Sequence, residues 1–271
     1  MKQQEAGTQV PLIYVTANSL MSKNVPLESA VQIAKDAGAD GFELRRELLP
    51  AGMQPFEVQS LRLQLEQFLA PPAYSVPEPL FEEGRLQRDF LRHVLAEARS
   101  FGCHFVKFSP FGKVPDEGEF AALSTMLAEL QQETPSMEVM LENDQTAASG
   151  QLEQWVRFFE QARDFKCPIG MTFDLGNWDC VGVDATKAAQ LLGHNVAYVH
   201  VKSVEFKDNK WVSRPIHFSA TPHPALLYLA TTAPRAIEFP VVAAARAALI
   251  TSLHTYITWL RAGSFATLPM T

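Results

Sequence analysis

The chain has 271 residues, of which 47% are hydrophobic, 10% aromatic and 20% charged, a composition that excludes a disordered or fibrous chain and supplies a large core. A formal net charge of −7 gives no basic footprint for nucleic acid or for an anionic membrane surface, and points to a small-molecule partner instead. The N-terminal MKQQEAGTQV lacks the apolar segment of a secretory leader, and no run approaches the roughly 18 apolar residues of a membrane span, so a cytoplasmic location is expected.

In chain order, an apolar segment rich in β-branched and aromatic residues at 10–17 (VPLIYVTA) predicts a first strand, and a helix follows over 26–38, with Pro26 near its start and Gly38 at its end. A second strand at 41–45 (GFELR) precedes a helix over 56–69 opened by Pro55, and a third at 73–77 (AYSVP) precedes one over 84–101. Strands at 104–109 (HFVKFS), 137–142 (MEVMLE) and 169–174 (IGMTFD) are followed by helices over 117–132, 151–165 and 184–192. The seventh strand, 196–202 (VAYVHVK), leads into 203–234, read as a long loop on the active face with a helix near 223–230. An eighth strand at 235–239 (RAIEF) and a helix over 241–261 close the pattern. Eight strands alternating with helices, with no linker, repeat or step in composition, predict one α/β domain over 1–271, a single (β/α)8 TIM barrel. The last helix is apolar enough to serve either the barrel wall or a contact between copies in a homo-oligomer. Cys103, Cys167 and Cys180 are widely spaced, odd in number and without a CxxC pair, which suggests neither a disulfide framework nor a thiolate zinc site and reads as buried filling.

In such a barrel the C-terminal ends of the strands form the active face, so a polar residue closing an apolar strand is a candidate for chemistry. With side chains alternating along a strand, Val139 and Leu141 point outward and Glu142 inward. By the same parity Asp174, His200 and Glu238 point inward, and four strand ends bring two glutamates, an aspartate and an imidazole together. This oxygen and nitrogen set suits one divalent ion, Mn²⁺, Mg²⁺, Co²⁺ or Zn²⁺, and three crowded carboxylates are costly without a cation. Singly, each residue is more often a capped strand end or a salt-bridge partner, and four on consecutive strands with matched parity reverse that balance.

The segments AKDAGADGFELR at 34–45, LEND at 141–144, MTFDLGNW at 171–178, VHVKS at 199–203 and IEFP at 237–240 resemble the xylose isomerase-like TIM barrel superfamily. The likeness is strongest to its sugar phosphate isomerase/epimerase branch, and it spans nearly the whole chain. The resemblance implies metal ligands at Glu142, Asp174, His200 and Glu238. It also implies a carbohydrate substrate, with Glu142 and Glu238 exchanging protons with substrate carbon through a metal-stabilised enediolate. A lyase that dehydrates a keto-acid or keto-inositol, or a barrel that binds without turnover, are the alternatives. Asn177 stands where family members often carry a substrate-contacting histidine, and FKDNKWVSRPI at 206–216 replaces a glycine-bearing stretch.

No Gly-rich phosphate cradle follows the seventh or eighth strand. Arg45, Lys107 and Lys202 have inward parity and are candidates for substrate binding or for pairing with the carboxylates, and Glu43 for substrate contact, for support of a ligand or for pairing with Arg45. His217 and His223 are read as lid or surface residues, and Trp178 and Trp211 as sugar-facing walls or packing.

Overall fold

The computed structural model describes residues 10–21, 25–146, 149–216 and 223–262. Eight strands follow the expected rhythm: β1 (Ile13–Thr16), β2 (Gly41–Arg45), β3 (Ala73–Pro79), β4 (Phe105–Ser109), β5 (Glu138–Glu142), β6 (Ile169–Asp174), β7 (Val196–Val201) and β8 (Arg235–Ile237). Each pairs in parallel with its neighbours in sequence, and β8 pairs back onto β1, so the sheet is a closed barrel with no free edge.

The period of two divides the strands between two apolar environments. Outward residues such as Phe42, Leu44, Val106, Phe108, Val139, Leu141, Phe173 and Val201 join the large cluster under the helices. The helix Arg88–Ser100 shows how the outer layer is built: it buries Leu91, Val94, Leu95 and Ala98, one face at helical spacing. Burying one such leucine contributes roughly 1.5–3 kcal/mol. Asp116 and Asp184 start the helices Glu117–Glu133 and Ala185–Leu192 by accepting backbone N–H groups of Glu119 and Thr186.

Inward residues Tyr14, Ala73, Met140, Tyr198 and Ala236 form a second, smaller cluster inside the barrel. Tyr14 and Tyr198 meet edge to face with ring centroids 5.4 Å apart, and Phe105 stacks on Tyr198 at 5.8 Å. This aromatic floor closes the barrel one inward position below the polar residues at the strand ends, so the site has a dry base.

Several parts differ from the sequence reading. The stretch read as a long loop after β7 begins with an antiparallel hairpin, Ser203–Lys207 paired with Lys210–Arg214. Its two-residue turn places Asp208 and Asn209 at φ of 50° and 59°, the left-handed conformation that Asp and Asn tolerate and that matches strand twist. The helix expected over 223–230 is a 3-10 turn, Pro224–Tyr228, and the final helix runs Arg246–Ala262. A second small hairpin, Phe81–Glu82 with Arg85–Leu86, precedes the helix expected to begin at 84. No helix among the described residues is long and apolar enough to cross a membrane.

Gly41 reports on the floor. A Cβ there would lie 2.3 Å from Tyr14 Cε1, and the Tyr14 ring is held by its hydroxyl, which donates to Pro71 O at 2.8 Å. Gly41→Ala is therefore expected to lower unfolding free energy by about 1–3 kcal/mol in urea denaturation. An unchanged midpoint would show that the ring yields freely.

Candidate metal centre

Glu142 and Asp174 end β5 and β6, His200 lies one residue before the end of β7, and Glu238 follows β8 directly. Each offers one ligand atom, and these atoms all lie within 4.8 Å of one another. The sequence parity thus brings the four expected residues to one place.

His200 is fully buried, and its Nε2 lies 2.8 Å from Glu43 Oε2. An ionised carboxylate only accepts, so Nε2 carries the proton and donates. Burial raises the Glu43 pKa, but His200 and Lys107 outweigh it and hold the carboxyl below the usual range, in its ionised form. The other ring nitrogen, Nδ1, then faces Glu142 Oε1 at 2.8 Å, Glu238 Oε2 at 2.9 Å and Asp174 Oδ2 at 3.8 Å. None of them meets it in good hydrogen-bond geometry, so in the metal-free protein they surround it as an ion-pair shell. A ring nitrogen with its tautomer fixed from behind and three carboxylate oxygens around its free side fits a divalent cation, whose histidine ligands take this kind of support.

Cations of the chain share the cluster. Lys107 pairs with Glu142 and lies 3.7 Å from Glu43 Oε1. Lys202 Nζ lies 2.7 Å from Asp174 Oδ2 and 2.9 Å from Glu238 Oε2. Arg45 reaches Glu238 Oε1 at 2.6 Å and Glu47 Oε1 at 2.8 Å. Burial works against the charge on Glu142 and Glu238, yet Lys107 at the first and His200 with Lys202 at the second hold both well below the usual carboxylate range. Asp174 goes the other way: burial pushes it up to about 6, only partly offset by Lys202. His200 is disfavoured as a cation by burial, but Glu238 and Glu43 raise it well above the ordinary histidine range.

Other residues fall into structural roles. Glu43, expected among the substrate contacts, is fully buried behind the His200 ring and supports it. Asn177 is 8% exposed, and its Nδ2 donates to Asn143 O at 2.8 Å, which engages the amide where substrate contact was expected. Trp178 is buried against Phe173, as packing, and His223 accepts from Ala225 N through Nδ1. Trp211 packs on Phe206 in the hairpin, and His217 lies outside the described residues.

Asn143 was not singled out in the sequence, yet it ties β5 to β6. Its Nδ2 donates to Asp174 O at 3.0 Å and its Oδ1 accepts from Asp174 N at 2.8 Å. The Asp174 side chain in turn accepts from Asn177 N at 3.0 Å, capping the helix Leu175–Cys180. Thr16 and Ser19 likewise donate to Ile237 O at 3.0 and 2.8 Å, fixing the backbone just before Glu238. The signal for Asn143 is its place, a polar residue directly after a strand-closing acid.

The family model of the xylose isomerase-like TIM barrel matches residues 31–227, most of the chain. The chain belongs to this family. The match includes Glu142, Asp174 and His200, while Glu238 lies beyond it. Among solved structures, a xylose isomerase-like TIM barrel/4-hydroxyphenylpyruvate dioxygenase fusion protein is similar at 16% identity and a TM-score of 0.66, over 93% of this chain and 43% of that one. The chain therefore spans less than half of that protein. An L-ribulose 3-epimerase is similar at 14% identity, TM-score 0.64, over 94% and 96% of the two chains, and the IOLI protein with a binding zinc atom at 12%, TM-score 0.61, over 94% and 99%. At these identities the likeness is one of fold. No curated protein matches the chain by sequence.

The His200 environment generates a pH prediction. With its pKa raised, the metal-free imidazole stays protonated at neutral pH, and a cation at Nδ1 must displace that proton. Mn²⁺ uptake at neutral pH is expected to release about one proton, read by calorimetry in buffers of different ionisation enthalpy. Affinity is expected to fall as pH falls, starting above the ordinary histidine pKa of about 6.5. Uptake without proton release would show that Nδ1 is not displaced.

Proposed function

We propose that this chain is a divalent-metal-dependent isomerase or epimerase of a sugar, sugar phosphate or sugar acid. The observation that carries the reading is His200 Nδ1, turned towards the strand ends by the Glu43 hydrogen bond at Nε2 and ringed by oxygens of Glu142, Glu238 and Asp174. In this reading Glu142, Asp174, His200 and Glu238 hold one Mn²⁺, Mg²⁺, Co²⁺ or Zn²⁺. When bound there, such an ion would supply Lewis-acid polarisation of a substrate carbonyl and its neighbouring hydroxyl, which would acidify the adjacent C–H. Membership of the family supports the reading, and the epimerase and the zinc-binding protein among the structural relatives agree with it.

The chain's own groups divide the remaining work. Glu142 and Glu238 are both ionised, so each enters the reaction able to accept a proton. They approach the same imidazole nitrogen at 2.8 and 2.9 Å, which supports assigning both carboxylates to one reacting centre. Removal of a proton by one and delivery by the other inverts a carbon, whereas one carboxylate serving two adjacent carbons moves the carbonyl. Arg45, Lys107 and Lys202 orient substrate oxygens, and Asn143 and Asn177 keep Asp174 in place. The aromatic floor beneath the site excludes water from below.

Incubation in D₂O with Mn²⁺ across neutral ketoses, ketose phosphates and keto-acids tests the reading directly. Deuterium is expected at the carbon next to the carbonyl of at least one compound, and Glu142→Gln is expected to slow its uptake by about 10²-fold or more while retaining the fold. No exchange into any of them by the wild type, or unaltered exchange by the variant, would contradict it.

A further inference from the structure

The three cations at the mouth do not meet the carboxylates in the same way. Glu142 turns Oε1 to His200 Nδ1, and Lys107 meets its other oxygen, Oε2. Glu238 turns Oε2 to Nδ1, and Arg45 meets Oε1. Lys107 and Arg45 thus grip the outer oxygens and leave the inner ones free. Lys202 does the opposite. Its Nζ lies on Asp174 Oδ2 and Glu238 Oε2, two of the three oxygens that face Nδ1. Its ammonium therefore competes for the oxygens that a metal ion would need.

The stem of Lys202 is fitted for this position. It crosses the short helix Leu175–Cys180 at Gly176, where an added Cβ would lie 2.8 Å from Lys202 Cγ and 3.3 Å from Cε. The side chain is only 10% exposed, so the ammonium has little access to water. Burial weakens its charge, but Asp174 and Glu238 more than compensate. An ammonium that loses two buried carboxylate partners is left with a large desolvation cost unless new acceptor oxygens arrive.

We propose that Lys202 is the resident cation of this site, displaced when a divalent ion binds, and that the displaced ammonium takes up an anionic oxygen of the substrate. The inference rests on the metal-site reading above and adds the substrate's charge to it: the substrate carries a carboxylate or phosphate near its reacting carbons. Metal and anion then bind with positive coupling, since each relieves the cost imposed by the other, and the coupling is reciprocal. Lys202 is accordingly a specificity-determining residue, and it weakens metal binding until the anion is present.

Calorimetric titration of the full chain with Mn²⁺ tests this without any turnover. Lys202→Met is expected to bind Mn²⁺ about tenfold tighter than wild type or better, whereas Lys107→Met, which removes a grip on an outer oxygen, is not. In the wild type, hydroxypyruvate is expected to tighten Mn²⁺ by a similar factor and its neutral counterpart dihydroxyacetone to leave it unchanged. Dihydroxyacetone phosphate as a third arm distinguishes a phosphate from a carboxylate. In Lys202→Met the effect of the anion should vanish. Lys202→Gln and thermal melts in EDTA guard against misfolding, and the anion arms on wild type need no variant. Equal or weaker Mn²⁺ binding by the folded Lys202 variants, or equal tightening by neutral dihydroxyacetone, would overturn the inference and leave the metal site standing. Absence of Mn²⁺ binding in every protein would overturn the metal reading itself.

Discussion

The hydrogen bond between Glu43 and His200 fixes the chemistry of the barrel mouth. Both side chains are fully buried, out of contact with bulk solvent, and they meet at 2.8 Å. The bond decides which imidazole nitrogen carries the proton and which way the ring lies, and so decides that Nδ1 is the nitrogen presented to the carboxylates. An ionised acid this deep persists only with compensation, which Glu43 draws from His200 and from Lys107 at 3.7 Å. The lysine thereby links the support of the histidine to Glu142.

The fold makes that bond geometrically necessary. Inward residues follow every second position, so β2 contributes Glu43 and β7 contributes His200 above Tyr198, whose ring centroid lies 5.4 Å from the imidazole. Below, the Tyr198 ring meets the imidazole edge to face. Around it, Asn143 locks the β5 and β6 ends together through the Asp174 backbone, and Thr16 with Ser19 locks the carbonyl preceding Glu238. The polar cluster is therefore held by backbone contacts as well as by its charges. This is the kind of preorganisation a site needs if its carboxylates are to stay close without the loop motion that mutual repulsion would otherwise drive.

Much of this was legible in the sequence because it follows from periodicity. The eight strands, the inward parity of Glu142, Asp174, His200 and Glu238, and the inward parity of Arg45, Lys107 and Lys202 all come from a repeat of two on apolar strands. What periodicity does not carry is which oxygen meets which cation. Lys107 and Lys202 have the same parity and residue type, yet one grips an outer oxygen and the other an inner pair, a difference set by where each stem runs. The hairpin Ser203–Arg214 was missed although its turn residues Asp208 and Asn209 are a two-residue hairpin signal, because charged residues on exposed strands mask the alternation. Asn143 is not singled out by the sequence, and Asn177 reads as a substrate residue, because their partners are backbone atoms at a neighbouring strand end, and such pairings are invisible until the strands are registered. Trp178 packs on Phe173 and His223 caps the turn at Ala225, both local contacts that a pattern of apolar and polar positions does not separate from a role at the site.

The central claim is that Glu43 holds the proton on His200 Nε2 and leaves Nδ1 to a metal ion. It is tested most directly by ¹⁵N NMR of the histidine-labelled protein titrated with diamagnetic Zn²⁺. The account predicts that the His200 Nε2 resonance keeps its bonded proton throughout while Nδ1 moves to the position of a metal-bound nitrogen. A proton retained on Nδ1 at saturating Zn²⁺, or metal binding through Nε2, would contradict it.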